Sequence, residues 1–405
     1  MSEKLAVDGG TPVRRKKWPQ WPVHDEREVE GLRAVVKTGN WGGFPSPNVE
    51  AAKFAEAFAA YHTASFGNCT ASGTTALEVA LKAAGVEAGD EVIMPALTFV
   101  ATAAAALYMG ATPVFVDIDP YTWCLDPGEA ERAITDKTKA ILPVHLGSRF
   151  TDMDRIMELA RAHGLRVVED SAHMHGGFWD GKGAGSIGDL GAFSFQNTKL
   201  MTAGEGGIVI TSDEELDARC HAYIDCGRLR PEDKPAEAQG VFGWNYRITE
   251  FQAAILRVQL ERLPEQVERR EANKVRLTQA IDGIDGLSTL KMDDRITQPS
   301  GYGYYFRYHA DDFGGVSRDK FMVALRHEGL HCYGSFYEPV YRDKLFTWQD
   351  TAVDYDYANV SCPNAERAAY EQSIWIPHEL FLGDEADVND IVAAIEKVTS
   401  AYEED

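Results

Sequence analysis

Short apolar runs rich in β-branched residues alternate with helix-like stretches from about residue 70 to residue 211. The predicted strands are 91–95, 113–117, 140–145, 166–170, 191–195 and 207–211, and helices between them include 75–84, 100–109 and 152–163. The strands are nearly continuous hydrophobic runs, which is typical of strands that are buried on both faces. This alternation predicts an α/β fold with a mostly parallel central sheet and helices on both of its faces.

The pattern changes after a long predicted helix at 249–267. A strand-like segment at 304–308, a helix at 318–327 and an amphipathic helix at 387–402 follow it and indicate a smaller α+β domain. Pro19 and Pro22 prevent a regular helix near the start of the chain. We therefore predict an arm at 1–25, a large domain at 26–265 and a small C-terminal domain at 266–405. The basic run at 14–17 is expected to be a solvated stretch.

Parallel sheets of this kind bind ligands beyond the carboxyl ends of their strands. Asp170 ends a predicted buried strand, where a carboxylate is costly unless a cation or several donors meet it. His173 follows three residues later, and Lys199 lies just past the strand at 191–195. A lysine held at such an edge can lose its proton and serve as a Schiff-base nucleophile. Taken singly, Asp170 and His173 could equally be structural residues and Lys199 an ordinary solvated lysine.

A glycine and several hydroxyl residues precede the helix predicted at 75–84. Ser72, Gly73 and Thr74 would leave free backbone N–H groups and short side-chain donors at the helix start, which suits an anion. The alternative is a plain helix cap without a ligand.

Composition narrows the functional classes. With 40 Lys and Arg against 63 Asp and Glu, the 405-residue chain has a formal net charge of −23, which argues against a nucleic-acid partner. The six cysteines form no C-x-x-C pair, and no metal site is indicated. The start has no signal-peptide pattern and no apolar run is long enough for a membrane span, so we expect a cytoplasmic protein without a membrane partner.

Taken in order along the chain, these segments resemble the fold-type I pyridoxal-phosphate enzymes, and more closely the DegT/DnrJ/EryC1/StrS family of sugar aminotransferases. The resemblance runs from Trp18 to the last helix, and its most specific part is the segment 194–207. It implies an aspartate aminotransferase-like fold, pyridoxal 5'-phosphate as the cofactor, and a homodimer whose active sites are shared across the interface.

The resemblance also implies roles for single residues, three of them catalytic: Lys199, Asp170 and His173. Lys199 would form the Schiff base, Asp170 would meet the pyridine nitrogen, and His173 would lie near the ring oxygen. The remaining implied roles are phosphate binding for Ser194, Gly73 and Thr74, ring stacking for Phe99, and a phosphate contact in the neighbouring subunit for Asn245. Family members that dehydrate sugars with histidine at the lysine position are disfavoured, because this chain has Lys199.

The segments 18–22, 196–207 and 362–364 are similar to glutamine-dependent scyllo-inosose aminotransferases and to 3-amino-5-hydroxybenzoate synthases. We expect transfer of an amino group from glutamine or glutamate to a keto-cyclitol or keto-sugar. The alternatives are a nucleotide-linked keto-sugar substrate, or a dehydration and aromatisation reaction on the same cofactor. Arg149 departs from these relatives and is expected near the substrate opening, as an anion ligand or as a surface ion pair. The segments 41–44 and 331–337 are further candidates for that opening.

Overall fold

A seven-stranded sheet forms the centre of the fold in the computed structural model, which describes residues 3–46, 48–230, 233, 241–334, 337–347, 353 and 355–403. Its strands are β1 (Phe66–Thr70), β2 (Glu91–Pro95), β3 (Thr112–Val116), β4 (Thr138–Ile141), β5 (Arg166–Asp170), β8 (Leu190–Ser194) and β9 (Gly207–Thr211). Their order across the sheet is β1-β9-β8-β5-β4-β2-β3. Neighbours from β8 to β3 pair in parallel, whereas β9 is antiparallel to both β8 and β1. The expected mostly parallel sheet is therefore confirmed.

The strand interiors are buried on both faces, as the continuous apolar runs predict. In β2, Val92, Ile93 and Met94 are all 0% exposed although they alternate between the two faces of the sheet. The helices of this part of the chain are α1 (Glu26–Thr38), α2 (Val49–Tyr61), α3 (Gly73–Ala83), α4 (Val100–Tyr108), α5 (Pro127–Arg132), α6 (Met153–His163) and α7 (Glu214–Ile224).

Three predicted strands have the observed bounds, whereas the strand predicted at 140–145 was placed too late. It begins at Thr138 and ends at Ile141. Leu142 still donates its N–H to the carbonyl of Ile93, and Pro143 then has no N–H to continue the ladder. The carboxyl edge of the sheet is therefore irregular after β4.

The helix predicted at 249–267 is longer than expected. Helix α8 spans Glu250–Ile281 and passes through the predicted domain boundary at 265/266, which stays a prediction. Its buried face continues beyond Val267 with Arg270 and Lys274 before Leu277. Two cationic residues at buried positions interrupt the apolar periodicity, so the pattern alone ends the helix too early.

A second hydrophobic core, called here the small core, lies under a four-stranded antiparallel sheet. It contains Leu287, Phe306, Phe321, Ile374 and Ile395 among others. Its strands, in spatial order, are β10 (Leu287–Thr289), β12 (Tyr304–Tyr308), β14 (Ser373–Ile376) and β13 (Tyr333–Gly334). A further small sheet joins β6 (Phe178–Trp179), β7 (Lys182–Gly183) and β11 (Ile296–Gln298). The later helices are α9 (Arg318–His327), α10 (Lys344–Thr347), α11 (Pro363–Arg367) and α12 (Glu385–Glu403).

The described part of the N-terminal arm packs against the small core. Leu5 belongs to that core, and Val13 and Trp18 pack on it. Arg14 is 5% exposed, forms ion pairs with Asp387 and Asp390, and lies over the Trp18 ring. The expectation of a solvated basic run is therefore wrong for Arg14, because acidic residues of α12 and an aromatic face replace its water.

None of the helices in the described ranges is long and apolar enough to cross a membrane.

Candidate active site

A cavity of about 570 Å³ opens beyond the carboxyl ends of β5 and β8. The structure brings seven of the predicted site residues together in its lining: Gly73, Thr74, Phe99, Asp170, His173, Ser194 and Lys199. Asn245 does not line this cavity; it is exposed, in an isolated bridge with Asp225. The sheet edge indicated by the sequence is thus where the candidate groups converge.

The start of α3 forms one end of the cavity. Ser72 caps the helix by accepting from the Thr75 N–H, in a reciprocal box with the Thr75 side chain. A Cβ at Gly73 would lie 2.5 Å from the Cβ of Ser194, so only glycine lets the helix start approach the end of β8 this closely. Backbone N–H groups, the Thr74 side chain and the Ser194 hydroxyl therefore meet at one point, and this set of donors suits a phosphate.

Two adjacent acidic residues at the end of β5 have opposite surroundings. Glu169 is 0% exposed and accepts from the backbone N–H groups of Gly185, Ile187 and Gly188, while the His145 Nε2 lies 2.9 Å away. These partners occupy the carboxylate of Glu169 completely, which makes it a structural residue.

Asp170 points to the other side and lines the cavity. It accepts from the Thr102 hydroxyl at 2.8 Å and from the Ala172 N–H at 3.2 Å. Burial raises the pKa of the Asp170 carboxyl, while these two hydrogen bonds and the nearby Lys199 counteract the shift. Asp170 thus presents a buried carboxylate with capacity left for a cationic or N–H partner in the cavity.

Lys199 is delivered by a turn that follows β8. Within it the Gln196 side chain accepts from the Thr198 N–H, and the Lys199 N–H donates to the Gln196 carbonyl. Burial lowers the pKa of the Lys199 amine to about 8, although the charge of Asp170 opposes this shift. A larger fraction of the amine is therefore unprotonated near neutral pH than for a solvated lysine, as a nucleophile requires.

His173 lies between Asp170 and an aromatic wall. Its ring is stacked on Tyr302, with centroids 3.9 Å apart and planes 9° apart, and its Nε2 is 3.4 Å from the Tyr337 hydroxyl. Burial, with the charge of Lys199 adding to it, holds the pKa of His173 well below the usual range. The imidazole is therefore neutral, with one protonated nitrogen and one acceptor nitrogen.

Two aromatic residues that line the cavity, Tyr302 and Trp375, were not predicted from the sequence. Both come from the C-terminal third of the chain. The glycines at 301 and 303, both with positive φ, were the only local sign that the backbone at Tyr302 has a special path. Tyr337 of the segment 331–337 also lines the cavity, whereas Trp41 and Phe44 do not, and residues 335–336 lie outside the described residues.

Arg149 does not line the cavity, so its expected place at the substrate opening is wrong. Its guanidinium turns into the protein and donates to the carbonyls of Leu290 and Ser148, and burial lowers its pKa. It faces backbone carbonyls because the loop Leu146–Ser148 carries two residues with positive φ and redirects the chain.

Among the described residues, no group of histidines, cysteines and carboxylates is suited to a metal ion. The cavity instead offers a helix start suited to an anion, a buried carboxylate and an amine of lowered pKa. This set fits an organic cofactor that carries a phosphate, a basic ring nitrogen and an electrophilic carbon.

Comparison with known proteins agrees with this geometry. The sequence profile of the DegT/DnrJ/EryC1/StrS aminotransferase family matches residues 22–396. A protein of Streptoalloteichus tenebrarius, provisionally named L-glutamine:3-amino-2,3-dideoxy-scyllo-inosose aminotransferase, is 41% identical over 98% of each chain. The L-glutamine:2-deoxy-scyllo-inosose aminotransferase of Micromonospora echinospora is 39% identical over 99% of each chain. The crystal structure of a 3-amino-5-hydroxybenzoic acid synthase superposes with a TM-score of 0.85 at 33% identity, covering 96% of this chain and 100% of that one.

Proposed function

Because this chain belongs to the DegT/DnrJ/EryC1/StrS aminotransferase family, we propose that it uses pyridoxal 5'-phosphate to transfer the amino group of glutamine or glutamate to a keto-cyclitol. The observation that carries the proposal is the convergence of Lys199, Asp170 and the α3 helix start on one cavity. Pyridoxal phosphate, when bound, supplies a carbonyl carbon that exchanges amines and a pyridine ring that withdraws electrons.

The residues present fit that group. The N–H groups at the start of α3 and the hydroxyls of Thr74 and Ser194 would hold the phosphate. Asp170 would hold a proton on the pyridine nitrogen, because a buried carboxylate favours the cationic form of a base beside it. Phe99 and His173 lie on the cavity wall, where they can cover the faces of a flat ring.

Lys199 would also move the proton that transamination requires. Its Nζ, with the pKa lowered to about 8, can take the proton from the Cα of the amino donor and return one to the carbon of the acceptor. The buried, aromatic surroundings keep bulk water from competing for that proton.

The described lining favours an uncharged acceptor. It contains five aromatic side chains, Phe99, Phe193, Tyr302, Tyr337 and Trp375, and Lys199 is its only lysine or arginine. A polyhydroxylated ring can stack on aromatic faces and hydrogen-bond to Tyr337 or Glu205, whereas a nucleotide diphosphate would call for additional cationic partners.

The test is a pair of half-reactions on the cofactor-loaded enzyme. Glutamine and glutamate should convert the cofactor to its pyridoxamine form, and keto-cyclitols should reverse this conversion faster than nucleotide-linked keto-sugars do. The Lys199→Ala variant is the matched control. No conversion with any amino donor would contradict the proposal.

A second candidate is the formation of an aromatic amine, as the name 3-amino-5-hydroxybenzoate synthase describes for a relative. The Amycolatopsis mediterranei protein of that name is 35% identical over 92% of this chain. The enzyme would then form an aromatic ring by loss of water from an amino-substituted cyclic substrate, and the product would show a new ultraviolet band. If the product of the same assay is a non-aromatic amino-cyclitol, the enzyme catalyses transamination without aromatisation.

We also propose a homodimer in which Asn245 contacts the phosphate held by the partner subunit. Asn245 is exposed and outside this chain's own cavity, while the neighbouring Phe242 is 88% exposed. In the proposed dimer the partner subunit would cover the Phe242 side chain. Mixing refolded Lys199→Ala and Asn245→Asp chains in equal amounts should restore about a quarter of wild-type activity, because half of the dimers are mixed and one of the two sites in each mixed dimer is intact. Activity no higher than the sum of the two separate variants would argue against shared sites.

A further inference from the structure

The turn that carries Lys199 is held from the other side of the molecule by two N–H donors. The indole Nε1 of Trp21 donates to the Asn197 carbonyl at 2.8 Å, and the Nε2 of His378 donates to the Thr198 carbonyl at 3.0 Å. These carbonyls belong to the two residues immediately before Lys199. Neither donor lies on the large sheet, since Trp21 is in the N-terminal arm and His378 follows β14.

The two donors form one unit. The rings of Trp21 and His378 meet edge to face with centroids 4.7 Å apart, and the Arg270 guanidinium lies 5.3 Å from the centre of the Trp21 ring. His378 is 3% exposed, and a carbonyl can only accept, so its Nε2 carries the proton and its ring is the neutral tautomer. Burial also holds the pKa of His378 well below its usual range, which preserves that tautomer across neutral pH.

We propose that Trp21 and His378 are positioning residues for Lys199. By fixing the carbonyls of Asn197 and Thr198 they hold the turn in the one orientation that sends the amine into the cavity. This inference rests on the proposed function of Lys199 but concerns residues that touch neither the cavity nor any reacting atom. The arm and the part of the chain that forms the small core therefore supply the two N–H donors that fix the turn, while the turn with Lys199 follows a strand of the large sheet.

The hydrogen bonds from Trp21 and His378 should therefore affect the pKa of the Lys199 amine, and this effect can be tested. The charged and titratable groups near Lys199 include Asp170 on β5, His145 after β4, His173 and His175 in the turn after β5, Glu205 in the loop before β9, Tyr337, and Tyr302, whose ring centre is 5.3 Å from Nζ. A loosened turn would let the amine leave these groups for water, and its pKa would rise toward the ordinary lysine value.

The variants are Trp21→Phe and His378→Leu, which remove one N–H donor each while keeping an apolar side chain. His378→Gln is the rescue, because its amide N–H can reach the same carbonyl. Trp18→Phe is the matched control: it removes an indole N–H that donates to the Gly329 carbonyl at 3.0 Å, in the same arm but away from the lysine.

The measurement is the pH midpoint for reductive methylation of Lys199 in the full-length protein freed of cofactor, followed by mass spectrometry of the peptide. We expect the midpoint to rise by about 1 pH unit in Trp21→Phe and His378→Leu, to return in His378→Gln, and to stay unchanged in Trp18→Phe. Unchanged midpoints in the first two variants, or an equal rise in Trp18→Phe, would overturn the inference. If His378→Leu does not fold, the comparison of the pH midpoint of Trp21→Phe with that of Trp18→Phe decides the question.

Different results would contradict the proposed function and the positioning role of Trp21 and His378. A wild-type chain that binds no pyridoxal phosphate defeats the proposed function whatever the variants show. A wild type that binds it, with Lys199 midpoints that do not move, defeats only the positioning role.

Discussion

The two walls of the cavity are built on different principles. The wall formed by the large sheet carries Asp170, Ser194, Lys199 and the start of α3, and hydrogen bonds fix each of them, most to residues a few positions away. Distant donors add to them at Asp170 and at the lysine turn. The wall of Tyr302, Tyr337 and Trp375 comes from the last third of the chain and offers broad aromatic faces. Hydrogen-bonded polar groups thus set the chemistry, and the aromatic surface sets which substrate can be covered. Variants in the two walls should therefore fail in different ways.

The largest effect is expected from removing the amine of the sheet wall. Lys199→Ala should lower the transamination rate at least about 1,000-fold, because no other amine lines the described cavity to move the proton. Cofactor absorbance and turnover measure this, and the aromatic-wall variants below provide the contrast. A loss of less than tenfold would assign the proton transfer to another group.

The pH dependence of cofactor capture tests the same residue without a mutation. With a Lys199 pKa of about 8, the free-amine fraction at pH 7 is about 300 times that of an ordinary lysine. The rate of cofactor capture should fall about tenfold per pH unit below 8 and level off above it. Stopped-flow absorbance gives the profile, and a midpoint near 10 would show that burial does not act on this amine.

Asp170 and Glu169 allow a cavity-facing carboxylate to be compared with a structural one on the same strand, β5. Asp170→Asn should lower turnover about 100-fold with little change in stability, since it faces the cavity. Glu169→Gln should instead lower the free energy of unfolding by about 3 kcal/mol, because its buried carboxylate meets three N–H groups and His145. Urea unfolding and steady-state kinetics on both variants separate the two outcomes. Equal kinetic losses would mean that the two faces of β5 are coupled.

A smaller effect is expected at the contact between α3 and β8. Gly73→Ala places a Cβ 2.5 Å from the Ser194 Cβ, so the helix start must shift. We expect cofactor affinity to fall about tenfold, as one or two phosphate hydrogen bonds lengthen. Equilibrium titration with pyridoxal phosphate measures the change. Gly31→Ala serves as a control, because Gly31 lies in α1 outside the cavity lining and a Cβ there would meet its nearest neighbour at an ordinary 3.7 Å.

The smallest effect should come from the aromatic wall. Tyr337→Phe removes a hydroxyl 3.4 Å from the His173 Nε2 but keeps the ring. We expect kcat/KM for the keto substrate to fall about threefold, which corresponds to one weak hydrogen bond. A loss as large as that of Asp170→Asn would place Tyr337 in the chemistry and end the distinction between the walls.

The sequence predicted the sheet wall well because its residues stand where buried strands end. Asp170 and Ser194 end β5 and β8, and the glycine that begins α3 marks a close approach that only the folded structure explains. The aromatic wall was not predictable in the same way. Tyr302 and Trp375 belong to the last third of the chain but pack in or against the core of the large domain, and no local sequence pattern shows which distant surface they will contact.

Buried cations explain the other discrepancies. Arg14 was expected in a solvated run and Arg149 at the substrate opening, and Arg270 and Lys274 lie beyond the predicted end of the long helix. Each of the four is buried or directed inward. Arg14 gains two carboxylates, and Arg149 gains two carbonyls. Long side chains with a charged end carry apolar stems that pack well, so hydrophobicity alone misplaces them.

The packing of the arm has a consequence for how the protein is made. The arm is synthesised before the rest of the described chain. The ion-pair partners of Arg14, Asp387 and Asp390, and the acceptor of the Val13 N–H, Glu328, all lie more than 300 residues later in the sequence. Contacts of such sequence separation form late, because the intervening chain must be closed into a loop first. The bond from Trp21 to Asn197 therefore completes the surroundings of Lys199 only after the final helix is synthesised. A chain truncated before α12 would fold its large sheet and still lack a finished lysine turn.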